Sequence, residues 1–167
     1  SDDGANRCSR LGAGPGVLSI ATTVSETPRR ERGRMIIQRR GEAHHDWSLY
    51  RGEKKVGIEW YFRERTELQT SVMLYHLEPG ASEGEHFHLE GDPGSCSVDS
   101  EDELYIVVSG ELVITVGEER ALLRSGDAVY VPQGVPHGAI NESDSPAELI
   151  LLFGPPTGNP LHASKEH

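Results

Sequence analysis

The chain has 167 residues, 35% of them hydrophobic, and a formal net charge of -11. That length suits one soluble domain with a core of its own, and no apolar run approaches the ~20 residues of a membrane helix. Residues 66–167 carry a net charge of -15, which argues against nucleic acid as a partner, because phosphate binding needs clustered cations.

Residues 1–33 are rich in Gly, Ser, Thr and Asp and are expected to form a flexible N-terminal tail. Residues 1–20 lack a basic stretch followed by an apolar one, so no signal peptide is expected. The stretch "PRRERGRMIIQRR" (28–40) holds six arginines and reads as a solvated arm. Within it "RMIIQRR" has the pattern of a short strand, one that could pair with the edge of a second copy. His44-His45-Asp46 is expected on a surface loop ahead of the main domain.

From residue 55 the pattern is strand and turn. "KVGIEWYFRE" (55–64) and "LQTSVMLYHLE" (68–78) are rich in β-branched and aromatic residues. "ELYIVVSGELVITVGEE" (103–119) predicts two strands around Ser109-Gly110. "ALLRSGDAVYVPQGVPHGAINESD" (121–144) predicts two more, with "SGD" and "PQG" as turns, and "PAELILLFGPP" (146–156) a last strand stopped by prolines. Many short strands without a helical period predict an all-β sandwich or barrel over residues 34–156, followed by a C-terminal tail, 157–167. Cys8 falls in the tail and Cys96 in a loose loop, so no structural disulfide is expected and a cytoplasmic setting is the default.

The chemistry gathers around His86-Phe87-His88. On an extended chain side chains alternate, so the two imidazoles share a face and Phe87 takes the other. Such a pair is a ready start for a metal site. Glu103 opens the next clear strand and His137 follows the turn "PQGVP". If Glu103 points inward, Tyr105 and Val107 do too, which makes Tyr105 a candidate pocket wall with a phenol to donate. Trp60, Tyr75, Tyr130 and Phe153 are further candidates for the interior, while His76 reads as a surface histidine.

The spacings are specific. Gly80, five residues, His86-Phe87-His88, then Glu103, six residues and Gly110 form one set. Gly126, five residues, Pro132-Gln133-Gly134, two residues, His137, three residues and Asn141 form a second. Together they resemble the two motifs of the cupin superfamily across residues 70–153. One departure stands out: fourteen residues separate His88 from Glu103, where the family has three or four. The stretch between is a loop by composition, readable as a lid or as a surface insertion. Glu101 shares parity with Glu103, though the interval to Gly110 favours Glu103.

The resemblance implies a jelly-roll β-barrel with one divalent transition metal inside, held by His86, His88, Glu103 and His137, with Glu103 and Tyr105 as candidate catalytic groups and Asn141 as a structural one. It implies a small-molecule substrate and a homodimer. With Fe(II), the favoured metal, the site would serve an oxygenase. With Zn, Ni or Mn it would serve a non-redox isomerase, cyclase or lyase. A binding module without catalysis ranks third, because all four ligand types are present.

Overall fold

The computed structural model describes residues 35–156. It contains ten strands among these residues: β1 (His44–Trp47), β2 (Val56–Tyr61), β3 (Ser71–Leu77), β4 (Ser82–His86), β5 (Asp102–Ser109), β6 (Glu111–Val116), β7 (Glu119–Arg124), β8 (Ala128–Val131), β9 (His137–Ile140) and β10 (Ala147–Gly154). They form two antiparallel sheets, one ordered β1-β2-β3-β10-β5-β8 and the other β4-β9-β6-β7. Among the described residues no helix is long and apolar enough to cross a membrane.

The core follows from alternation. On β3, Met73, Tyr75 and Leu77 are buried; on β5, Glu103, Tyr105 and Val107; on β10, Ala147, Leu149 and Leu151. Register sets Leu151 between Met73 and Tyr105, and Leu149 between Tyr75 and Val107. One face of three neighbouring strands thereby becomes a largely apolar wall with Glu103 at one end. The inward turn of Tyr105 and Val107 matches the expected parity. Tyr130 does not line the interior: it pairs with Leu104 on the outward side of β5, is 55% exposed, and donates its hydroxyl to Asp102 at 2.6 Å.

Three further sequence expectations are corrected. Residues 121–144 contribute to three strands rather than two, because "SGD" and "PQG" separate β7, β8 and β9. His44-His45-Asp46 lies on β1, an exposed edge paired with β2, rather than on a loop. Residues 35–39 of "RMIIQRR" form no strand. That segment is anchored by side chains instead. Gln38 donates to Glu59 and to the Trp60 carbonyl and accepts from the Phe62 amide, while the buried Glu59 accepts from the amides of Gly41 and Ala43. Met35, Ile36 and Ile37 remain exposed.

The motif turns behave as their glycines suggest, with positive φ at Gly80, Gly110, Gly126 and Gly134. Asn141 is fully buried. It donates to the carbonyls of Leu77 and Ser145 and accepts from Ser143, which fixes the β9–β10 connection.

Between β1 and β2 the chain crosses β4 at very short range. The Gly84 amide donates to the Leu49 carbonyl and the Ser82 amide to the Glu53 carbonyl. A Cβ on Gly84 would stand 2.0 Å from the Tyr50 carbonyl oxygen, and one on Gly52 2.1 Å from that of Ser82. Both obstacles are backbone, so no side-chain rotation relieves them. Gly84→Ala is expected to cost about 3 kcal/mol or more, measured as a lowered urea midpoint. An unchanged midpoint would mean that this crossing is loose in solution.

Candidate metal centre

His86 and His137 face each other across the β4–β9 pair, with ring centroids 4.2 Å apart. His88 lies just past β4, its ring 5.0 Å from that of His86, and Glu103 enters from β5 on the opposite sheet. All four are buried, and one ligand atom from each lies within 4.8 Å of the others. A divalent ion with bonds of about 2.0–2.2 Å sets opposite ligands about 4.0–4.4 Å apart, so the cluster is of the right size. Glu101, the alternative carboxylate, precedes β5 and sits behind His88, 3.5 Å from Nδ1, outside the cluster.

The nitrogens are prepared for a ligand role. His86 Nδ1 contacts the Gly84 carbonyl at 2.9 Å, and His137 Nδ1 contacts that of Val135 at 2.8 Å. Each carbonyl holds a proton on Nδ1 and turns Nε2 inward. His86 Nε2 is buried without a hydrogen-bond partner. His88 Nε2 lies 3.0 Å from Glu103 Oε1 yet also lacks hydrogen-bond geometry. Buried nitrogens left unpaired are costly. Here they converge on one point, as ligands of a shared ion would, so the residues fit a metal.

The electrostatics agree. Burial pushes the Glu103 carboxyl up, but its contacts with His137 and His88 outweigh this and hold it well below the carboxylate range. Burial pulls His137 down, while contact with Glu103 outweighs that and leaves it raised. Burial, with His137 nearby, lowers His86 to about 3, so this ring is neutral and its lone pair available at ordinary pH.

Two participants lie beyond the sequence expectation. Glu83 is buried on β4, with Oε1 3.8 Å from His86 Nε2. Strict alternation from His86 would turn it outward. A β-bulge between Glu83 and His86 adds one residue, since Glu83 pairs with Ala139 and His86 with His137, and it brings both side chains inside. Gly84 in the strand pattern was the available signal. Tyr50 stacks on His86 at 3.6 Å between centroids; it and Arg51 have positive φ, at the top of the crossing over β4.

Tyr105 is not a pocket wall. It is fully buried behind the ligands, with its hydroxyl oxygen 2.5 Å from Glu103 Oε2 and 2.9 Å from Glu83 Oε2. One phenol proton cannot serve two carboxylates at once. Glu103 is already matched by two histidines, so the second proton belongs on Glu83. Burial, then the nearness of Glu103, raise Glu83 to about 8, in agreement.

Beside His88 and Glu103 opens a cavity of about 580 Å³. Tyr75, Trp60 and Phe153 line it, as expected. The long loop after His88 forms part of its wall, through Gly91, Asp92 and Pro93 and again from Ser95 to Val98. The loop folds on itself: the Leu89 amide donates to Ser95 Oγ and the Cys96 amide to the Phe87 carbonyl. Cys96 is disulfide-bonded, against expectation. His76 is a surface residue, held between Glu78 and Glu148. The His44–Asp46 contact of 3.2 Å is exposed and gathers no third ligand among the described residues.

A two-sheet antiparallel barrel with three histidines and a glutamate gathered inside defines the class, and comparison with known proteins agrees. A family model described as "Cupin domain" matches residues 73–153. The chain belongs to the cupin superfamily. The Uncharacterized protein SCO3923 of Streptomyces coelicolor is 34% identical over 96 residues, 58% of this chain and 80% of that one. The H2HPP isomerase of Bacillus subtilis is 34% identical over 97 residues, 58% of this chain, and the matched part is only 35% of the isomerase's own length. A solved Cupin 2 conserved barrel domain protein from Salinispora arenicola shares the fold with a TM-score of 0.57 at 20% identity, covering 72% of this chain and 89% of that one.

Proposed function

We propose that this chain is a metal-dependent enzyme that acts on a small organic molecule by non-redox chemistry of the isomerase, cyclase or lyase type. The observation that carries the metal is the convergence of the unpaired His86 and His88 nitrogens on Glu103 and His137 inside the barrel. A divalent ion held by these four residues supplies Lewis acidity toward a substrate oxygen. The chain's own residues supply the rest. The cavity beside His88 and Glu103 holds the substrate and limits its contact with water. Tyr105 positions Glu103 by a short hydrogen bond, and Glu83 holds a proton behind it. A proton store next to the ligands suits reactions that move a proton and no net electrons. Similarity to a protein named as an isomerase, over the matched third of that protein, supports the same class.

The ligand set favours a second reading. Three imidazoles and a carboxylate also suit Fe(II), and the cavity leaves room beside them for a substrate, which keeps the oxygenase expectation as runner-up. The test is elemental mass spectrometry of untagged protein purified without air or added metal. Near-stoichiometric zinc, nickel or manganese is the expected result. Iron accompanied by substrate-dependent O₂ uptake would replace this proposal by the oxygenase, and a folded protein with no metal would overturn both.

A further inference from the structure

The cavity walls differ sharply from its floor. Trp60, Met73, Leu151 and Phe153 form an apolar side, with Trp60 and Phe153 edge to face at 5.8 Å. Tyr50 and Tyr75 add two more ring faces. The loop side carries Asp92 and Glu101. Among the described residues no Lys or Arg lines this cavity. Arg63 stacks over the Trp60 ring at 4.1 Å without lining it, and Arg51 lines a smaller neighbouring cavity of about 210 Å³ that shares Tyr50. An anionic group held against these walls would lose hydration, meet two carboxylates and gain no cation. Ring faces, by contrast, offer offset and edge contacts to a flat apolar body.

Resting on the function proposed above, we infer that the substrate is an uncharged, ring-containing molecule that presents one carbonyl or hydroxyl oxygen to the ligand end and carries no anionic group on the rest of its body. The volume of about 580 Å³ falls in the usual range for small-molecule sites, about 300–1,000 Å³. An ion held by His86, His88, Glu103 and His137 would take the oxygen, and the aromatic and acidic walls select the remainder.

The test is binding by tryptophan fluorescence. The chain has two tryptophans, Trp47 and Trp60, and Trp60 lines the cavity. Naphthol and naphthalenesulfonate are titrated near neutral pH into the full-length protein, both as purified and after dialysis against chelator. Saturable quenching by naphthol, at least ten-fold tighter than by the sulfonate in both samples, is expected. Trp60→Phe should abolish the quenching while Trp47 still emits. Replacing Asp92 by Asn together with Glu101 by Gln should tighten the sulfonate at least three-fold. Equal or tighter binding of the sulfonate, no saturation by naphthol, quenching that survives Trp60→Phe, or a sulfonate affinity unmoved by the rim variant would each overturn the inference. Because the chelated sample is included, these results stand apart from the metal analysis, whose failure would leave both affinities where they are.

Discussion

Replacing His137 by alanine is expected to strip the metal from the protein and leave the barrel folded. A four-ligand site for a divalent ion is worth about 10–16 kcal/mol near neutral pH, so one imidazole accounts for on the order of 3 kcal/mol, roughly two decades of affinity. Purified His137→Ala should carry little metal and show no turnover. The fold should persist because the apolar core, from Leu49 and Val56 through Tyr75, Val107, Leu149 and Leu151, lies outside the ligand cluster. His137 also sits 3.0 Å from Glu103, so its loss removes part of what holds that carboxyl low and should raise its pKa. Metal content, far-ultraviolet circular dichroism and the melting temperature are the measurements. Full occupancy in a folded variant would remove His137 from the site, and an unfolded variant would send the same test to His88→Ala.

Glu83→Gln should separate binding from chemistry. Glu83 is outside the ligand cluster, so metal content should stay near that of the parent. Without a transferable proton next to Tyr105, turnover should fall by about 100-fold or more. Undiminished turnover would exclude Glu83 from proton handling. The metal-free protein gives a second signature. The folded carboxyl is raised to about 8 from an ordinary value of 4.5, so between these pH values the unfolded chain has released a proton that the folded chain retains. Stability from this group is therefore full below about pH 4.5 and is lost as pH climbs through about 8. Glutamine cannot ionise and escapes that loss. The melting temperature of Glu83→Gln, relative to the parent, should rise from pH 5 to pH 8; a difference that is flat with pH would mean that the folded carboxyl titrates normally.

Much of the barrel was legible because its signals are local and periodic. Strands β2, β3, β5, β6 and β10 follow directly from alternation and turn glycines. The four site residues stood out through the resemblance of their spacing to the two cupin motifs, and alternation added only that His86 and His88 share a face. What stayed hidden depended on register and on contacts between distant segments. Glu83 lies an odd number of residues from His86, and only the bulge at Gly84 reverses its side. Tyr50 reaches His86 because two glycines, Gly52 and Gly84, let separate stretches of backbone touch. Neither fact is written in the residues around Tyr50. The apolar run at Met35–Ile37 looked like a strand, yet the backbone beyond it is tied by the side chains of Gln38 and Glu59 rather than by a ladder.

The fourteen residues between His88 and Glu103 have a consequence for how such a protein diversifies. They leave the barrel immediately after one ligand and return immediately before another. Their hydrogen bonds are largely to each other and to the backbone of Phe87. The candidate ligands thus sit on or beside the strands and one wall of the cavity on a separate stretch of chain, so the two can vary independently. A change in that one wall can alter what the cavity admits while the four candidate ligands His86, His88, Glu103 and His137 stay in place.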